Sequence, residues 1–170
     1  MVRSLSKDEL QKLLEVAKSH NETDYLMLLV MFNHGLRVSE VLGLTRENVQ
    51  GDLLVVQRLK GSEKTAQPLL PSERDGLLKL AAECEGTFFP TYRMAVWRMM
   101  QAYCHEAGIP KFKARPHALK HTCGKLGVKG GMTVPEVQAY LGHKNGSNTL
   151  VYLKEDDASA SKAFAAAMGV

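Results

Sequence analysis

Apolar residues recur with helical spacing at Leu10, Leu13, Leu14 and Ala17, directly behind the capping box formed by Ser6 and Glu9. The pattern predicts a first amphipathic helix running to about His20. The stretch NETDYLMLLVMFNHG opens on cap residues, is very apolar, and stops at Gly35, which tolerates the positive φ of a helix end. It predicts a second helix lying in the core. VSEVLGL fits a third, shorter one. The pattern then changes: DLLVVQR and AQPLLP are β-prone or apolar segments on either side of LKGSEKT, which predicts a small β-hairpin with a long, basic tip. Helical patterning resumes over about residues 72–84, 92–107, 117–128 and 134–141, with a short segment around Tyr152, and Gly130-Gly131 and GHKNGSN supply the breaks. The Ala-rich end ASASKAFAAAMGV is weakly patterned for burial by its own chain. The expected fold class is mainly α with a small antiparallel β-hairpin or sheet (α+β).

A chain of 170 residues is long enough for one well-buried core, so a single compact domain is expected. Lys and Arg number 22 against 18 acidic residues, a formal charge of +4 and a pI near 9.0, which is compatible with a nucleic-acid partner and also common among proteins that bind none. Cys84, Cys104 and Cys123 are widely spaced and form no C-x-x-C pair, which argues against a disulfide framework or a zinc knuckle and fits a reducing cytoplasm. No apolar run approaches the roughly 20 residues of a membrane span, and MVRSLSKDEL lacks the apolar core of a secretory signal. No membrane partner is expected.

Three places invite chemistry. His117 and His121 stand four apart and share a helix face, but Ala118 occupies the position where a zinc hydrolase of H-E-x-x-H type needs Glu, and no nearby Asp, Glu or Cys offers a third ligand. No metal is expected there; a structural hydrogen bond or cap is the ordinary reading of each ring. Arg37 follows an apolar helix and its Gly terminator, where a guanidinium needs an anion or a carboxylate. Glu40 is an internal partner for it, and a phosphate is the external one, since the planar fork matches two non-bridging oxygens. Tyr152 in NTLVYLKEDD carries a phenol with a free pKa of about 10, so only about 0.1% is ionised at neutral pH. Attack by it requires nearby cations or a proton acceptor.

Taken in order, GLRVSEVLGLT around Arg37, LKGSEKTAQPLLP with Lys60, HALKHT with His117, LGHKN with His143 and TLVYLK with Tyr152 resemble the catalytic domain of the tyrosine recombinases, also called phage integrases. The likeness runs from about Leu5 to Lys154, and the spacings from Lys120 to His143 (143 − 120 = 23) and from His143 to Tyr152 (152 − 143 = 9) resemble those of family members. The resemblance implies a tyrosine recombinase catalytic-domain fold, and a reaction in which Tyr152 attacks a DNA phosphorus to give a 3′-phosphotyrosine and a free 5′-hydroxyl. Arg37 would clamp the phosphate, and His117 and His143 would donate hydrogen bonds to it, His117 also helping to remove the tyrosine proton. Lys60 would protonate the leaving oxygen, with Lys64 as its rival. Glu40 would brace Arg37, and His121 would be structural. The family usually carries a second arginine where this chain has Lys120, which keeps the charge and loses the two-point grip.

The same resemblance implies double-stranded DNA as partner, no cofactor, assembly into a dimer or tetramer on DNA from a chain that is monomeric without it, and a place with the nucleoid in the cytoplasm. Arg46, Lys64, Arg115 and Lys144 are candidate DNA contacts, within a basic surface that includes Arg93, Arg98 and Lys113. Residues 1–154 are expected to form the catalytic domain and 155–170 a tail that docks on a neighbouring protomer or folds back. The family's N-terminal core-binding domain is expected to be absent. Two other functions stay open: a homologue that binds recombination sites without cutting, motivated by Lys120, and a type IB topoisomerase-like enzyme that shares the chemistry.

Overall fold

The computed structural model describes residues 3–59 and 63–143, together with Ala165, Ala167 and Met168. In chain order the elements are α1 (Lys7–His20), α2 (Glu22–His34), α3 (Val38–Leu42), β1 (Val49–Gln50), β2 (Leu53–Val56), β3 (Thr65–Pro68), α4 (Pro71–Glu83), α5 (Arg93–Glu106), α6 (His117–Lys129) and α7 (Val134–Leu141). Short 3-10 turns at Arg46–Asn48 and Lys111–Lys113 lead into β1 and towards α6.

Local sequence explains most of these boundaries. Ser6 and Glu9 exchange side-chain and backbone hydrogen bonds at the start of α1, and Thr133 and Glu136 do the same for α7. Asn21 ends α1 and its side chain accepts from the Thr23 and Asp24 amides to begin α2. Pro71 opens α4, where its missing N–H costs nothing. The expected hairpin is present as the antiparallel pair β2 and β3, with Val56 opposite Thr65, and it gains a third strand. β1 pairs with β2 across the two-residue turn Gly51-Asp52, where Gly51 has φ 62°. Two residues give too little alternation to mark β1 as a strand in the sequence.

α2 is apolar on several sides because α1, α3, α4 and α6 all pack on it. Leu13, Leu28, Met31, Leu54, Leu77, Met100 and Leu119 are fully buried in one cluster that joins the sheet to the helices. Each such side chain contributes about 1.5–3 kcal/mol by leaving water. Val137 and Leu141 form a smaller cluster with Cys123, Val128, Met132 and Tyr140, which seats α7 on α6. Among the described residues, no helix is long and apolar enough to cross a membrane.

Candidate active site

The last turn of a helix leaves its carbonyl oxygens without partners inside the helix. At the end of α2 the Leu36 amide returns to the Met31 carbonyl at 3.0 Å and the Gly35 amide to that of Phe32 at 3.3 Å. The remaining oxygens are met from distant segments. The Tyr140 hydroxyl of α7 donates to the Asn33 carbonyl. Arg58 Nη2 at 2.7 Å and Gln67 Nε2 at 3.3 Å donate to that of His34. Arg58 Nη1 and Lys120 Nζ both donate to the Gly35 carbonyl at 3.0 Å. Two cations thus meet at the negative end of the α2 dipole. The turn itself needs Gly35, whose φ is 60° and where an added Cβ would also run into Leu141 Cδ2.

Arg37 stands directly beyond this turn, at the start of α3, with its side chain about one-fifth exposed. Its Nη1 donates to the Leu59 carbonyl at 3.3 Å and lies 3.5 Å from Glu40 Oε2. Glu40 is buried and more widely engaged than a partner of Arg37 alone would be. Its Oε1 accepts from the Arg37 amide at 2.7 Å and from Arg58 Nη1 at 3.4 Å, and its Oε2 from the Leu59 amide at 3.1 Å.

Lys120 and His143 complete the charged group. Lys120 is only 2% exposed, and burial, then the neighbouring guanidinium groups of Arg58 and Arg37, push its amine down to about 8. His143 is set by the end of α7: Gly142 turns left-handed at φ 73°, and the His143 amide donates back to the Gln138 carbonyl at 2.9 Å. Burial and the charges of Lys120, Arg37 and Arg58 press its imidazole down to about 4. The ring is therefore neutral near pH 7, a hydrogen-bond donor rather than a fourth cation. Arg37 and Lys120, from remote segments, both act on the His143 ring, and Arg37 acts on Lys120.

His117 lies at the edge of this group rather than inside it. It is exposed at the start of α6, on the same face as Lys120 three residues on, and its ring meets His121 edge to face at 4.5 Å between centroids. It stands between two clefts. One is lined by Val38, Arg93, Met94, Trp97 and Arg115, and the other by Arg3, Phe112, Lys113, Arg115 and His121. Val38 links the first cleft to Arg37. Arg115 reaches both clefts, whereas Arg46 is turned away to the Cys84 carbonyl, which its Nε meets at 2.9 Å. Lys64 is exposed just before β3. Lys60, Lys144 and Tyr152 lie outside the described residues. Among the described residues no three His, Cys, Asp or Glu side chains are grouped to hold a metal ion.

Sequence reasoning missed Arg58, which is 3% exposed at the centre of the site. A partial signal was present: Arg58 follows two residues behind the buried strand end Val56, although Val55 is buried as well and the strand shows no clean alternation. It also missed the buried web beneath, in which His34 bonds Gln67 and Glu73 while Gln67 Nε2 reaches the Tyr140 carbonyl at 2.6 Å.

Comparison with known proteins agrees with this architecture. Over 166 residues the chain is 30% identical to Tyrosine recombinase XerA of Pyrococcus furiosus, covering 89% of this chain and 57% of that relative. A crystal structure of XerA recombinase superposes with a TM-score of 0.80 at 26% identity, over 96% of this chain and 64% of the other. The XerH site-specific recombinase, crystallised with its palindromic difH substrate in a post-cleavage complex, shares the fold at a TM-score of 0.78 and 19% identity, over 95% of this chain and 52% of that one. The chain thus spans about half to two-thirds of these proteins. The Phage integrase family model matches residues 3–159, nearly the whole sequence, and the protein belongs to that family.

Proposed function

We propose that the chain is the catalytic portion of a site-specific DNA recombinase that cuts and rejoins strands through a 3′-phosphotyrosyl intermediate. The observation that carries the reading is the convergence of Arg37, Lys120 and neutral His143 around the end of α2. A phosphodiester resists attack because the nucleophile approaches an anion and negative charge grows on the phosphoryl oxygens, so fixed donors aimed at those oxygens lower the barrier most. In this reading the Arg37 guanidinium and the Lys120 ammonium take the non-bridging oxygens, His143 donates a ring N–H, and His117 assists from the cleft beside Val38. Tyr152 attacks phosphorus and its proton leaves through His117; Lys60 protonates the departing 5′-oxygen. The covalent bond conserves the phosphodiester's energy, so rejoining needs neither metal nor nucleotide cofactor.

Glu40 holds Arg37 from behind, and His121 packs on His117. Lys64, Arg115 and Lys144 contact flanking phosphates, and Arg46 joins them only by sharing its hold on the Cys84 carbonyl. The protein works on double-stranded DNA in the cytoplasm, at the nucleoid, as a dimer or tetramer, with residues 155–170 joining protomers. XerA, similar over most of the chain, bears the name of a tyrosine recombinase, and the XerH structure holds DNA after cleavage, which supports the reading.

A duplex selected by the protein from a random-sequence pool, then nicked beside the cut so that the short strand diffuses away, traps the intermediate. The wild type forms a covalent protein–DNA adduct on a denaturing gel and Tyr152→Phe forms none. Binding without any adduct would instead favour a non-cleaving binder, a reading motivated by the lysine at position 120. Relaxation of supercoiled DNA by a monomer would favour topoisomerase-like chemistry.

A further inference from the structure

We infer that Arg58 is the positioning residue of this site: its buried guanidinium ties the end of α2, the Glu40 carboxylate and the base of the β2–β3 connection together, and so sets where Arg37, Lys120 and His143 stand. The inference rests on the phosphoryl-transfer reading for its consequence, though not for its geometry.

Four hydrogen bonds carry it. Nε donates to Thr65 Oγ1 at 2.8 Å, Nη2 to the His34 carbonyl at 2.7 Å, and Nη1 to the Gly35 carbonyl at 3.0 Å and Glu40 Oε1 at 3.4 Å. Two of these acceptors also hold members of the site. The Gly35 carbonyl also holds the Lys120 ammonium, so Arg58 and Lys120 are placed by the same oxygen. Glu40 holds the Arg37 amide and lies beside its guanidinium. The Arg58 stem reaches His143 by packing: a Cβ on Gly142 would come within 2.8 Å of Arg58 Cγ, so the backbone just before His143 rests on that side chain. The Glu63 amide donates to the Gly142 carbonyl at 2.8 Å, which closes the ring from the hairpin side.

The chemistry favours this role over contact with substrate. A guanidinium with donors committed to three fixed oxygens and a carboxylate is poorly placed to release them to a passing phosphate, whereas the equally buried Lys120 ammonium commits one N–H to the Gly35 carbonyl. It is a good template because its planar fork fixes several acceptors at once, which an ammonium cannot do. Its charge is balanced by Glu40 and by the carbonyl end of α2.

The test uses Arg58→Gln, Arg58→Lys and the milder Thr65→Val, each in the full chain, with folding verified by circular dichroism. One arm needs no DNA. NMR of the Lys120 amine follows its titration; Arg37, Glu40, His143 and Cys123 surround Lys120 in every variant, so only the guanidinium changes. In Arg58→Gln the midpoint moves up from about 8 by about one unit; an unchanged midpoint in a folded variant overturns the inference. The other arm is single-turnover cleavage of the selected, nicked duplex. The rate falls at least about tenfold in Arg58→Lys and about threefold or more in Thr65→Val, with DNA affinity within about twofold of wild type. Rate and affinity falling together, in step with a lower melting temperature, would mark Arg58 as merely structural and overturn the inference, as would wild-type rates. If the wild type itself makes no adduct, the recombinase reading fails, while an unchanged Lys120 midpoint in folded Arg58→Gln would still overturn the inference on its own.

Discussion

Lys120 is the residue whose placement most constrains the proposed chemistry. Its ammonium is buried and already donates one N–H to the Gly35 carbonyl, and its amine is held down to about 8. If the cation is what meets the phosphate, the reaction needs the protonated form, which is complete below that value and lost as pH rises through it. The second-order rate of adduct formation, which reports groups in the free protein, is therefore expected to fall above about pH 8. Lys120→Arg removes this alkaline limb because a guanidinium stays charged. His143, pressed to about 4, contributes no limb between about pH 5 and 8. A pH series on the two proteins checks both statements. Arg37 and Lys120 were readable from motif order, since both sit in stretches that resemble the family. Burial of Lys120 was not, because it follows from the Gly35 carbonyl, 85 positions away in the chain.

At the scale of elements, helix ends do most of the positioning. The end of α2 gathers Arg58 and Lys120, and the end of α7 aims His143. Gly142→Ala tests this directly, because φ is 73° and the added Cβ would meet Arg58 Cγ and the Glu63 carbonyl oxygen, each at 2.8 Å. The left-handed backbone alone costs about 1–2 kcal/mol, and the backbone contact adds to it. Urea unfolding should show a loss of at least that size, and the folded fraction should cleave more slowly than its stability explains. Helical spacing and caps made the helices legible to within about a residue or two of the observed ends. The β-prone, apolar character of β2 and β3 was readable as well, yet the inward place of Arg58 was missed. A charged residue at an inward position reads as the end of a strand unless its acceptors are known, and those acceptors belong to α2 and α3.

At the scale of the whole molecule, a net charge of +4 is modest, and what matters is its arrangement. Arg115 lines both clefts around His117, and Lys64 is exposed beside the hairpin tip, whereas Arg46 is engaged with the Cys84 carbonyl. If the clefts follow a DNA backbone, affinity falls linearly on a log–log plot against salt, and each lost phosphate contact lowers the slope by about 0.9. Arg115→Ala and Lys64→Ala should each flatten the slope by about that amount, and Arg46→Ala by less. Fluorescence anisotropy with a labelled duplex between low and physiological salt measures all three.

The Glu63 amide bonded to the Gly142 carbonyl joins the rim of the hairpin to the last turn of α7, and Gly142 in turn leans on Arg58 and Thr65. Segments 79 positions apart (142 − 63 = 79) are therefore expected to open together rather than separately. Native-state hydrogen exchange should show the Glu63 and His143 amides losing protection in one event, with matching free energies and matching denaturant dependence. Loosening either strand base or helix end then slackens the other, so the imidazole keeps its aim only while the hairpin stays docked.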